Sequence, residues 1–356
     1  MAAKEFVTRM GDGRRVFMTK QQIMDDIHEG VADAADAASV PALDANEMDK
    51  ICEIICDTNR AVSVEPGEEV VLTNDGGQIK ITMDNGGSGV GIDMGRLEAI
   101  LLHERAFAHD TFELAWTDYS LKAVKPIIAN EMQAMEEISM LTTVPLLYGA
   151  MPNMGLYYAP DGPYGNPTDL MREFKIEEAM DQAEKAAAHL AKDIKYVATL
   201  LDSAGCEGFN FDTTASAGDA DFVGTLNGVE AFKKECPNAY VIMGMSSENV
   251  LGIHGSIEYD GKVVAGMYPH QQVKLAEKAG ANNFGAVVNT NTSRSFAWNV
   301  ARAATMTKEC VKVSKIPVHA DLGMGVGGVP MFETPPIDCV TRSGKILIEI
   351  AHIDGI

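Results

Sequence analysis

From about residue 124 onward, short apolar runs alternate with longer stretches of helical period. The runs are KPIIAN (125–130), VPLLYGA (144–150), GFNFDT (208–213), AYVIMGM (239–245), NFGAVVN (283–289) and IPVHADL (316–322). Between them, Ala179, Ala183, Ala187, Leu190, Ile194, Val197 and Leu201 fall three or four apart and predict one amphipathic helix over Ile176–Ser203. Further helices are expected from about Arg294 to Val313 and from ETPPID, where Pro335 and Pro336 suit a first turn. Strand alternating with helix means parallel strands joined by right-handed crossovers.

The first third is patterned differently. TKQQIMDDIHEGVADAADA and DANEMDKICEIICDT read as helices. In the second, Asp44 and Glu47 have capping-box spacing. EEVVLTNDGGQIKITMD predicts a β-hairpin turning at Asn74-Asp75-Gly76-Gly77, followed by a glycine-rich loop and a helix in MGRLEAILLHERAF. We therefore divide the chain into an N-terminal extension of helices and hairpin (1–120), packing on a barrel-forming region (121–356). The fold class is α/β, a (β/α)8 barrel of the TIM type. About six strands are legible where a closed barrel needs eight. The final HIDGI follows a helix as the start of a further strand would. The expectation is a barrel lacking about its last two βα units, with an exposed strand edge near 316–322.

Composition narrows the partners. The chain of 356 residues carries 29 basic and 51 acidic residues, a net charge of −22. Nucleic acid needs a concentrated basic surface and is excluded as a partner; a negative field favours small cations. Six cysteines are scattered without a disulfide framework, and no apolar run suits a signal peptide or a membrane span, so the expected location is cytoplasmic. Cys52 and Cys56, four apart on a predicted helix, read as buried small apolar residues rather than as ligands.

In a barrel the chemistry sits where strands end. The polar residues closing the runs are Asn130 and Glu131, Tyr148, Asn210 and Asp212, Glu248, Asn289 and Asn291, and His319 and Asp321. YPHQQ adds His270 and two amides on a loop. The set offers carboxylates, amides and hydroxyls but no strained serine or cysteine and no strand-closing lysine. Asn210 and Asp212 could instead cap the next helix through TTASAGD. His319 and Asp321 are two ligands short of a metal site, so no metal is assigned. GMGVGG (323–328) contains GxGxxG, but VPMFETPP separates it from a helix. It reads as a mobile loop at the barrel mouth rather than a dinucleotide site.

In YGAMPNMGLYYAPDGP, NFDTTASAGD, YPHQQ, NTNTSRSFAWNVARA and HADLGMGVGGVPMFETPPIDCVTR, the chain closely resembles the dimethylamine corrinoid methyltransferases of methylotrophic methanogens. The likeness runs from Arg9 to the final DGI. Members of that family are (β/α) barrels whose genes carry an in-frame amber codon read as pyrrolysine, after a DGI-like sequence. The resemblance thus implies pyrrolysine directly after Ile356, as a built-in electrophile, with no cofactor bound directly. It implies methyl transfer from dimethylamine to the cobalt(I) corrinoid of a cognate corrinoid protein, with monomethylamine as product. On this reading the 356-residue form is the inactive amber-terminated portion, and it is expected to form homo-oligomers. Asp212, Glu248, His319 and Asp321 are the candidate catalytic residues; Tyr148, Asn210, Asn289, Asn291 and His270 are the candidate substrate contacts. Two other readings stay open from the residues alone: a metal-dependent barrel hydrolase or lyase built on His319 and Asp321, and a non-catalytic product that still binds the corrinoid protein.

Overall fold

A computed structural model describes residues 4–70, 79–81, 90–92, 147–150, 154–205, 208–252, 255–332 and 335–356. In chain order its elements are β1 (Glu5–Arg9), β2 (Arg15–Thr19), α1 (Lys20–Ala38), α2 (Ala45–Ile55), β3 (Ile79–Ile81), β4 (Val90–Ile92), β5 (Leu147–Ala150), a 3-10 turn (Met154–Tyr157), α3 (Pro167–Arg172) and α4 (Ile176–Ser203). They continue with β6 (Gly208–Thr214), α5 (Asp219–Glu235), β7 (Tyr240–Met245), β8 (Glu258–Tyr259), β9 (Lys262–Val263), α6 (Pro269–Ala279), β10 (Asn283–Ala286), α7 (Phe296–Val313), β11 (Val318–Ala320) and α8 (Ile337–Glu349). The chain divides into two compact units, one of residues 1–72 and 285–356, the other of residues 73–284.

The second unit carries strand order β10-β7-β6-β5. β5 pairs in parallel with β6, and β6 with β7. Each crossover is a helix, as the sequence rhythm requires. α4 has the predicted bounds, and Ala179, Ala183, Ala187, Leu190 and Ile194 are buried on its stripe. Beyond Ile194 the buried position is Ala198, not Val197 or Leu201. A 3.6-residue turn rotates the stripe away from a strict three-and-four count over so long a helix. α4 and α5 approach closely because α5 presents glycines: a Cβ on Gly224 would stand 2.9 Å from the Ala187 carbonyl oxygen, and one on Gly228 2.9 Å from Ile194 Cβ. Beneath α5, Phe209 and Phe211 of β6 are fully buried, and the Phe209 ring meets Phe232 edge-on at 4.9 Å. β3 and β4 form a separate parallel pair. The predicted turn at Asn74–Gly77 and the run 125–130 lie outside the described residues.

In the first unit, Thr19 and Gln22 close a capping box on α1, and Asp44 and Glu47 do so on α2. α1 buries Ile23, Ile27, Gly30, Val31 and Ala34 on one stripe. Gly30 lets α7 approach: a Cβ there would lie 2.2 Å from the Trp298 carbonyl oxygen. Gly30→Ala is expected to force α1 from α7 and cost about 2 kcal/mol; unchanged unfolding in urea would refute the close fit. Arg302 of α7 pairs with Asp33 at 2.6 Å, and Lys308 with Glu47. The α8 helix starts at Ile337 with Pro336 as its N-cap, so both prolines precede the first turn they were expected to form. Arg342 on α8 donates to the carbonyls of Asp57 and Asn59, both at 2.7 Å.

Among the described residues the strands form open sheets and no closed barrel is found. Two expectations need correction. The strand edge predicted near 316–322 is not open along β11. Val318 N donates to the Asp354 carboxylate at 2.8 Å, Asp354 N to the Val318 carbonyl at 2.8 Å, and Ala320 N to the Gly355 carbonyl at 3.2 Å. His319 and Gly355 thereby form a parallel bridge, so HIDGI does lie along a strand. Finally, GMGVGG is a packed turn rather than a mobile loop. Gly325, Gly327 and Gly328 have φ of 86°, 65° and 82°, and a Cβ on Gly328 would meet Val300 Cα at 2.6 Å. Gly327 N also donates to the Val288 carbonyl at 3.0 Å.

Candidate functional site

In the second unit, alternation along β6 sorts its side chains. Phe209 and Phe211 face the helix layer, so Asn210 and Asp212 project to the opposite face. The register between β6 and β7 shifts between Phe211 and Thr214. This irregularity holds Thr213 at φ 53° and lets its N–H donate to Asp212 Oδ1 at 2.7 Å. The ladder resumes where Ser246 N and Oγ both donate to the Thr214 carbonyl at 3.0 Å. Across the strand pair stands Gly244. A Cβ on it would lie 3.4 Å from Asp212 Oδ1 and 3.8 Å from Asn210 Oδ1. Asn210 Oδ1 is buried and accepts no hydrogen bond among the described residues.

Asn210 and Asp212 do not cap α5. That helix starts after Gly218, which has φ 95° and no capping side chain. The capping work falls to Asp221 inside the first turn, which accepts from Ser216 Oγ at 3.2 Å and Ala217 N at 3.0 Å. Asp221 is fully buried, and burial pushes its carboxyl up to about 7 despite those bonds. Asp219, also buried, accepts from Ala220 N at 2.9 Å. Burial foremost, then the nearby Asp221 and Asp219, also raises the Tyr158 hydroxyl.

Glu248 lies three residues beyond β7, half-buried. Its carbonyl accepts from Gln272 Nε2 at 3.4 Å, while the Met267 carbonyl accepts from the same nitrogen at 2.7 Å. His270 and both glutamines occupy the first turn of α6, not a loop. Pro269 suits the N1 position, and Tyr268 N donates to Gln271 Oε1 at 3.1 Å. Tyr148 falls within β5, opposite Phe209 in register.

The remaining candidates belong to the first unit. Asn289 follows β10 and bridges Val326. Asn291 is exposed, and its side-chain oxygen accepts from Ser293 N at 3.0 Å and Ser293 Oγ at 2.8 Å, an Asx turn. His319 lies inside β11 and Asp321 just after it. Among the described residues no three His, Cys, Asp or Glu side chains gather as a metal site. Cys52 and Cys56 stand 4.0 Å apart at the end of α2; Cys52 is fully buried, and burial pushes its thiol up to about 12.

Sequence reasoning missed Gly244, Asp219 and Asp221 as parts of this region. A glycine inside a strand often marks close approach of a ligand or another backbone, and that signal was present in VIMGM. The acidic pair opening α5 was readable in AGDAD, but its depth of burial was not.

Together these features define an α/β protein in which a parallel strand carries a carboxylate near its carboxyl end, where such folds bind ligands, and an amide two residues before it on the same face. Over residues 4–356 the sequence matches the model of the dimethylamine methyltransferase family, and the chain belongs to that family. No solved structure matches it. Among the described residues no helix is long and apolar enough to cross a membrane.

Proposed function

We propose that the protein takes a methyl group from dimethylamine and delivers it to the cobalt(I) corrinoid of a cognate partner protein, leaving monomethylamine. The observation that carries this reading is the family match over residues 4–356. The acceptor and partner come from the sequence resemblance, as does completion of the sheet to a (β/α)8 barrel. On the same reading, pyrrolysine following Ile356 supplies an electrophilic carbon that no standard side chain offers. The strand ends suit such an arrangement. Asn210 and Asp212 offer oxygen acceptors to a cationic amine, and the net charge of −22 favours its approach. Glu248, on the same unit as Asn210 and Asp212, is the group we assign to proton movement. Orientation and charge placement, rather than a protein nucleophile, carry the rate.

The test uses the full-length enzyme with its reduced corrinoid protein. Dimethylamine is expected to give monomethylamine and a methylated corrinoid in equal amounts. Dimethylamine left intact with every reduced corrinoid protein offered would overturn the reading. So would full turnover after lysine replaces the imine-bearing residue.

A further inference from the structure

Asn210 Oδ1 presents an oddity: a buried amide oxygen with no hydrogen-bond partner among the described residues. Such atoms are uncommon because desolvation is then uncompensated. Its surroundings explain what it awaits. Asp212 shares its face of β6, and opposite both oxygens is Gly244. Nothing in the backbone asks for glycine at 244, since it is absent from the positive-φ glycines. Among the described residues packing does not ask for it either. A Cβ would make only ordinary contacts, at 3.4 Å to Asp212 Oδ1, 3.7 Å to Asp212 Cα and 3.8 Å to Asn210 Oδ1. The missing side chain leaves methyl-sized space against two acceptor oxygens, on the face away from the Phe209–Phe232 contact and toward the carboxyl end of β7.

We infer that Asn210, Asp212 and Gly244 form the seat of the substrate ammonium, an inference that rests on the methyltransferase reading above. A secondary ammonium has two N–H donors. One goes to Asn210 Oδ1 and the other to the Asp212 carboxylate, whose charge offsets that of the amine. A methyl group of the same amine fills the space at Gly244. Donor count then contributes to selectivity: a tertiary ammonium brings a single N–H and leaves the Asn210 oxygen or the carboxylate short, while its extra methyl needs room the seat lacks.

The experiment compares wild type with Gly244→Ala, Asn210→Leu and Asn210→Asp in the full-length enzyme with its reduced corrinoid protein. KM and kcat for dimethylamine are measured together with direct calorimetric binding of dimethylammonium. Gly244→Ala is expected to raise KM and Kd about tenfold or more, with melting temperature unchanged. Asn210→Leu is expected to weaken binding by about 10- to 100-fold, the range for a hydrogen bond to a charged group. Asn210→Asp, which keeps an acceptor oxygen, should stay within a few-fold of wild type in Kd. If wild type turns over dimethylamine but Gly244→Ala and Asn210→Leu bind it normally, the seat is wrong and the methyltransferase reading survives. If wild type neither binds nor demethylates dimethylamine, both fall.

Discussion

Across pH 4 to 8, Asp221→Asn is expected to gain on the wild-type protein by on the order of 4 kcal/mol. Asp221 is wholly inaccessible at the start of α5, and burial raises its carboxyl from 3.8 to about 7. Every tenfold change in proton affinity between the folded and unfolded chain corresponds to about 1.4 kcal/mol. Because the folded-state pKa is the higher one, the folded protein binds the extra proton. The resulting stability is complete below about pH 4 and is lost as the pH rises toward 7. Above that, a carboxylate stands in the interior with Ser216 Oγ and Ala217 N donating to one of its oxygens, and with Asp219 two residues away. Asparagine keeps the oxygen that accepts from Ala217 and cannot ionise, so its stability should not fall over the same interval. Unfolding by urea at several pH values checks this. Parallel pH profiles for the two proteins would show that Asp221 is ionised and comfortable in the fold.

The opposite sign is expected at another buried carboxylate. Glu349→Ala should cost about 3–5 kcal/mol, the range for stripping one member from a buried ion pair. The Glu349 side chain is 2% exposed at the end of α8. It accepts from Lys345 Nζ at 2.8 Å and Glu65 N at 2.9 Å, and pairs with Lys50 Nζ at 2.9 Å. Burial alone would raise its carboxyl, but the two ammonium groups and the Glu65 N–H outweigh that and hold it below the ordinary range. Its contribution is therefore present above the normal glutamate pKa and lost as the pH falls through the lowered one. Lys50 is 46% exposed, so Lys50→Ala should cost under about 1 kcal/mol by the same unfolding measurement. Equal costs for the two substitutions would contradict the assignment of Glu349 as the buried centre of the group.

Much of the architecture was legible because burial imposes a period. The stripe on α4, the capping boxes of α1 and α2, and the apolar cores of β6, β7, β10 and β11 all follow from it. The hairpin of β1 and β2 was not read. Its Val7 and Phe17 are 55% and 67% exposed, so no buried face disciplines the pattern, and only Gly11-Asp12-Gly13 hinted at the turn. The GMGVGG segment misled for a related reason. Glycines signal either freedom or crowding, and here Met331, Leu322 and Val300 crowd them. The strand-end rule singled out Asn210 and Asp212, which share one face of β6. It could not find Gly244, which has no side chain to announce it, nor tell Asn291, spent on Ser293, from a residue aimed at a ligand.

The α4–α5 contact has a consequence for how this sequence can drift. Ala187 and Ile194 touch Gly224 and Gly228 with no room for an added methyl. Substitutions there must travel in couples, volume gained on one helix being surrendered on its neighbour. These four positions should therefore vary jointly or not at all.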